Sequence, residues 1–150
     1  FYYDGYDDTF DIIFTSPPYF NVERYSHDDT QSWIRYKDID SWNSQFLHKA
    51  LDNMLPTLRS GGKLCVNISD VNASDKNGKK WQKICDPMND FIQTFPDSKY
   101  LGAIGMEMAS RPNSIGAGTG VESGESNRKP EMLKEFNGKF CEPIWIWEKI

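Results

Sequence analysis

The feature that most constrains this chain is the stretch FDIIFTSPPYF at residues 10–20. Phe10–Thr15 is an apolar run without polar alternation, the pattern of a strand buried on both faces in a sheet covered by helices. Two prolines follow at once. Proline has no N–H for a sheet ladder, so the strand must end there, and both prolines fix φ near -65° and make the turn rigid. A fixed turn at a strand's carboxyl end is where open α/β sheets bind their ligands.

The rest of the chain supplies the alternation that such a sheet needs. Residues 20–40 are polar and aromatic without a steady period and read as a long working loop. Asp40 or Ser41 can cap a helix. Trp42, Phe46, Leu47, Ala50, Leu51, Met54, Leu55 and Leu58 then form its apolar stripe, with Pro56 tightening the last turn. Gly61 and Gly62 turn the chain into a strand at 64–69. Residues 72–80 read as a polar loop and 81–95 as a second helix, with Asp86-Pro87 as an internal restart. A strand follows at 100–108, a glycine- and serine-rich flexible loop or insertion at 109–130, and a closing strand at 144–147. Strands alternating with helices predict an α/β fold. No helix separates the last two strands, so an antiparallel strand pair is expected at the C-terminal end of a mixed sheet.

Composition narrows the function classes. The chain has 150 residues, 38% apolar and 26% charged, with a net charge of -5, which suits a globular domain with a real core. No apolar run reaches the length of a membrane span, and the N-terminal residues do not form a signal peptide. Cys65, Cys85 and Cys141 are widely spaced and form no CxxC pair, which argues against a disulfide framework or a zinc site and for a reducing compartment. His27 and His48 lack partners in sequence, so no metal site is expected. The acidic balance does not suit a strongly basic nucleic-acid binder, although phosphate contacts need only a local basic face.

The turn itself carries chemistry. A serine hydroxyl, a proline carbonyl and an aromatic ring, held at fixed angles, can accept hydrogen bonds from an NH₂ group and stack on its heterocycle. An exocyclic amine is a poor nucleophile because its lone pair is delocalised into the ring. Oxygen acceptors favour a more tetrahedral nitrogen and free that pair for attack on a methyl electrophile. A base in a duplex must first be flipped out to reach such a site.

FTSPPY resembles motif IV of the S-adenosylmethionine-dependent amino-methyltransferases of DNA, which methylate adenine N6 or cytosine N4. SPPYFNVERYSHDDTQS resembles the loop after that motif, LRSGGKLCVNISD the next helix-turn-strand, and EPIWIWEK the closing strand. The resemblance covers most of residues 10–149. It implies a partial Rossmann-like methyltransferase fold, with residues 1–150 a single catalytic domain forming the C-terminal part of a larger fold whose donor-binding half lies upstream or in a partner chain. It implies catalytic roles for Ser16, Pro17, Pro18 and Tyr19, with Ser16 and the Pro17 carbonyl holding the NH₂ group and Tyr19 stacking on the flipped base. Phe20, Glu23, Tyr25, Gln31 and Ser32 are candidates for lining the base pocket. S-adenosylmethionine is the implied cofactor, with Asp4, Thr15 and Ser16 as candidate contacts, and DNA is the implied partner. No membrane is implied, and the expected place is the cytoplasm or nucleoid. Serine at the first motif position leans towards cytosine N4.

The family also carries a glycine-rich donor loop between a strand and a helix. The one match by letters, IGAGTG at 115–120, has strand-breaking residues before it and poor helix formers after it, so it reads as a flexible loop. Lys76, Lys79, Lys80, Arg111, Arg128 and Lys129 lie in predicted loops and are candidates for phosphate contact. Asp70 either faces the cleft or starts a turn. Two other classes share the motif chemistry: a base-binding module or subunit without donor binding, and an RNA amino-methyltransferase.

Overall fold

A computed structural model describes residues 4–76, 78–107 and 141–150. Its centre is a four-stranded mixed sheet in the order β1-β2-β6-β5. Strand β1 (Phe10–Thr15) runs parallel to β2 (Leu58–Asn67). Strand β6 (Cys141–Lys149) lies antiparallel between β2 and β5 (Ser98–Glu107). The expected C-terminal antiparallel pair is therefore present, and β6 also joins β5 to the rest of the sheet.

Between β1 and β2 the chain forms a short helix, α1 (Ser32–Arg35), and a longer helical run. That run comprises α2 (Ile39–Trp42), a π-helical stretch (Asn43–Leu47), α3 (His48–Met54) and a closing 3₁₀ turn (Leu55–Thr57). Its cap is Asp38, not Asp40 or Ser41. The Asp38 carboxylate accepts from the Ser41 N–H at 3.0 Å and satisfies a donor that the helix start leaves unpaired.

Strand β2 begins earlier than the glycine pair suggests. Its register against β1 jumps from Phe10–Leu58 to Ile12–Lys63, and the excess residues bulge at Gly61, which has φ +79°. A Cβ on Gly62 would lie 2.8 Å from the Arg59 carbonyl and 3.0 Å from that of Phe10. The glycines thus serve a bulge within the strand rather than the end of a helix.

Residues 72–80 are not a loop. Strands β3 (Val71–Asp75) and β4 (Gly78–Gln82) pair antiparallel as a separate ribbon. Trp81 belongs to β4, and the second long helix, α4, is Cys85–Gln93. Asp70 starts that helix from a distance. Its buried carboxylate accepts the backbone N–H groups of Ile84 and Cys85, each at 2.9 Å. The 109–130 segment, with its glycine match, lies outside the described residues.

Cross-strand register sorts the sheet into two unlike faces. Ile13, Leu64, Val66, Trp145 and Trp147 share one face and pack with Leu47, Leu51, Met88 and Ile92 of the helices. The two indoles of the sheet are satisfied: Trp145 Nε1 donates to the Ile68 carbonyl at 3.0 Å and Trp147 Nε1 to Asn89 Oδ1 at 2.9 Å. On the opposite face Ile12 and Phe14 are each 60% exposed, and Ile104, Ile144, Ile146 and Cys65 lie alongside them at least partly open. The apolar run of β1 is therefore not buried on both faces. Among the described residues β1 is an edge strand, paired only with β2, and its sheet face carries no covering helix.

Candidate active site

The proline turn leaves the carboxyl end of β1 beside the carboxyl end of β2. Register fixes this, because Thr15 pairs with Val66 and so places Ser16 next to Asn67, the last residue of β2. Ser16 Oγ donates to Asn67 Oδ1 at 3.4 Å. Asn67 is itself buried and anchored through Nδ2, which donates to the Pro143 carbonyl on β6 at 3.2 Å. That bond orients the amide, so its oxygen faces the motif.

Tyr19 is held from β6. Its hydroxyl donates to Glu142 Oε2 at 3.0 Å, with Asn67 Oδ1 further away at 3.5 Å. One phenolic proton serves one strong bond, and the nearer, charged acceptor takes it. Burial first, and then the adjacent Glu142 charge, push the Tyr19 phenol far above its ordinary value. The ring is thus a neutral, half-buried plate fixed at its far end. At its near end the backbone N–H of Tyr19 donates to Glu23 Oε2 at 3.0 Å.

The two proline carbonyls differ. The Pro18 carbonyl accepts the Phe20 N–H at 3.1 Å. Among the described residues no donor meets the Pro17 carbonyl. Ser16 is exposed and Pro17 half-exposed, so an oxygen free to accept stands beside an accessible hydroxyl. The chain then takes φ +53° at Phe20, a left-handed conformation that costs a non-glycine residue about 1–2 kcal/mol. The turn sends consecutive side chains in different directions. Tyr19 stays at the rim, while Phe20 is fully buried and meets Trp42 edge-on with centroids 6.1 Å apart. Phe20 is therefore a core anchor for the turn, and its expected place in the base pocket is corrected.

The other expected residues separate. Glu23 shapes the turn through Tyr19. Tyr25 is largely exposed beside Glu23. Gln31 and Ser32 sit further out at the start of α1, half-buried and without hydrogen bonds to the motif. Thr15 ends β1, and Asp4 begins a 3₁₀ turn before it. Asp70 serves the helix, not the cleft. Asn67 and Glu142 went unread in the sequence, being 51 and 123 residues from the side chains that they hold. Among the described residues no cluster of His, Cys, Asp or Glu suits a metal ion, and no helix is long and apolar enough to cross a membrane.

The Pro17 carbonyl and the Ser16 hydroxyl can accept hydrogen bonds from an amino group. No described glycine turn connects the carboxyl end of a strand to a helix; Gly61 and Gly62 lie near the start of β2, away from the motif.

Comparison with known proteins gives the same fold. A candidate DNA modification methylase from Thermus thermophilus matches in two crystal structures, a selenomethionine form and a complex with S-adenosyl-L-methionine. The first is 15% identical with a TM-score of 0.57 and covers 97% of this chain and 47% of its own. The second is 14% identical with a TM-score of 0.57 and covers 97% of this chain and 50% of its own. The chain thus spans about half the length of the solved structures it matches. No curated protein matches the sequence. The profile of the N6/N4 DNA methylases matches residues 10–149, nearly the whole chain, and the protein belongs to that DNA methylase family.

Proposed function

We propose that this chain is the acceptor half of an S-adenosylmethionine-dependent DNA amino-methyltransferase, acting on cytosine N4 or adenine N6. The observation that carries the reading is the unengaged Pro17 carbonyl, beside the Ser16 hydroxyl and a Tyr19 ring anchored at both ends. The two oxygens accept hydrogen bonds from the exocyclic NH₂ group and draw its nitrogen towards a tetrahedral shape. Tyr19 stacks on the extruded base, and stacking of this kind is worth about 1–3 kcal/mol per base. The donor supplies an electrophilic methyl group. Thr15 and Ser16 are candidate donor contacts at the carboxyl end of β1, and the described residues do not complete a donor pocket.

The donor-binding half lies outside these residues, upstream of β1 in a larger fold or on a partner chain. The open sheet face at Ile12, Phe14 and Ile104 supports this, because apolar side chains in a row on an uncovered face normally mark a contact. The length ratio to the matched structures supports it as well.

The test is nucleoside mass spectrometry of DNA incubated with the full-length protein and S-adenosylmethionine. N4-methylcytosine or N6-methyladenine is expected, and a Pro17→Ala variant, with its turn loosened, should yield at least tenfold less. DNA binding without methyl transfer would instead favour a base-binding module.

A further inference from the structure

We infer that the β3–β4 ribbon is a phosphate-gripping arm, which holds the DNA strand beside the base presented to Tyr19. The inference rests on the DNA methylase reading above and adds to it a surface that the motif does not contain.

Residues 71–83 carry four lysines, Lys76, Lys79, Lys80 and Lys83, against one aspartate, Asp75, in a chain of net charge -5. All four lysines are exposed. Lys79 and Lys80 make no hydrogen bond or ion pair with any described residue, whereas Lys63 and Lys149 are each bonded to a carboxylate. Among the described residues the ribbon thus gathers basic charge, and part of it is unpaired.

The ribbon is also fastened where a DNA arm must be. It leaves β2 just after Asn67, the residue that holds Ser16. Asn21, two residues past Tyr19, donates from Nδ2 to the Ser74 carbonyl at 2.6 Å. Near the ribbon's turn Lys76 Nζ reaches Asp38 Oδ2 at 3.5 Å. At its base Gln82 Nε2 donates to the Ala73 carbonyl and Asn43 Nδ2 to that of Lys83, each at 3.0 Å. Val71, Ala73 and Gln82 turn inwards and are buried. Register puts Asn72, Ser74, Lys79 and Trp81 together on the other face, while Lys80 lies opposite Ala73 on the inward one. Ammonium, hydroxyl and amide groups beside an indole are the kit that binds a phosphodiester backbone. Such contacts position a strand without reading its sequence, which suits an arm tied to the turn that handles the base.

The experiment measures binding of the full-length protein to duplex DNA across a salt series. Each phosphate contact adds about -0.9 to the slope of log K against log salt. In the variant Lys79→Gln the slope should shrink by about 1. KM for DNA should rise at least tenfold with kcat unchanged, and the loss should be equal across DNA sequences. Lys49→Gln, which removes an exposed lysine paired with Asp52 on α3, should leave all three unchanged. If the wild type binds DNA and Lys79→Gln keeps the slope and KM, the arm is wrong while the methylase reading stands. If the wild type binds no DNA at any salt concentration, both fall.

Discussion

The two faces of the sheet are made of similar residues and have opposite fates. One carries Leu64, Val66, Trp145 and Trp147 under a layer of helices. The other carries Ile12, Phe14 and Ile104 in the open. The difference separates what the described residues complete from what they leave to another element. The covered face is a finished core, and it sets the register that brings Ser16, Tyr19, Asn67 and Glu142 together. The open face offers apolar surface that no other described element covers.

The comparison breaks most easily at its extremes. Trp145→Ala should cost about 3–5 kcal/mol, through lost burial and the lost hydrogen bond to the Ile68 carbonyl. Phe14→Ala in the 150-residue chain should stay within about 1 kcal/mol, because the ring is already largely in water. In the full-length protein the same change should rise towards the cost of a buried aromatic. Urea denaturation of both proteins measures this, and equal small effects of Phe14→Ala in each would mean that the face is never covered.

A second test sharpens the link between the core face and the motif. Because the Tyr19 phenol is raised in the folded protein, its contribution to stability is complete below pH 10. It is lost above that as the unfolded chain ionises while the folded phenol stays neutral. Tyr19→Phe should remove this alkaline decline. Glu142→Gln should reduce it by removing the charge while keeping an acceptor, and Glu142→Ala should cost a further 1–3 kcal/mol or so. Stability curves between pH 8 and 11 that superimpose for all four proteins would deny the Tyr19–Glu142 contact.

The smallest effect concerns the cysteines. Cys85 and Cys141 are buried, whereas Cys65 is partly open on the uncovered face. Burial raises the Cys65 thiol above its ordinary value, with Lys63 opposing, so its labelling should quicken only at alkaline pH. Peptide mass spectrometry should find Cys65 labelled before Cys85 in the 150-residue chain and protected in the full-length protein.

What the sequence disclosed follows from the range of the forces involved. The turn at 16–19 was legible because proline acts locally, and the closing strand because its aromatic run is dense. The ribbon was missed although Asn77-Gly78 is a strong hairpin signal; its polar, lysine-rich flanks hid the strands. The helix cap was misplaced by two or three residues because Asp38, Asp40 and Ser41 are all good caps. Phe20 looked like part of the pocket until its left-handed φ sent the ring into the core. Asn67 and Glu142 were illegible, since only strand register brings them to Ser16 and Tyr19.

The most direct test of the account is single-turnover methyl transfer by the full-length protein at saturating S-adenosylmethionine, wild type against Tyr19→Ala. Loss of the stacking plate should slow transfer by about 10- to 100-fold, with calorimetric binding of the donor unchanged. A transfer rate unaffected by Tyr19→Ala would contradict the placement of the acceptor site at this turn.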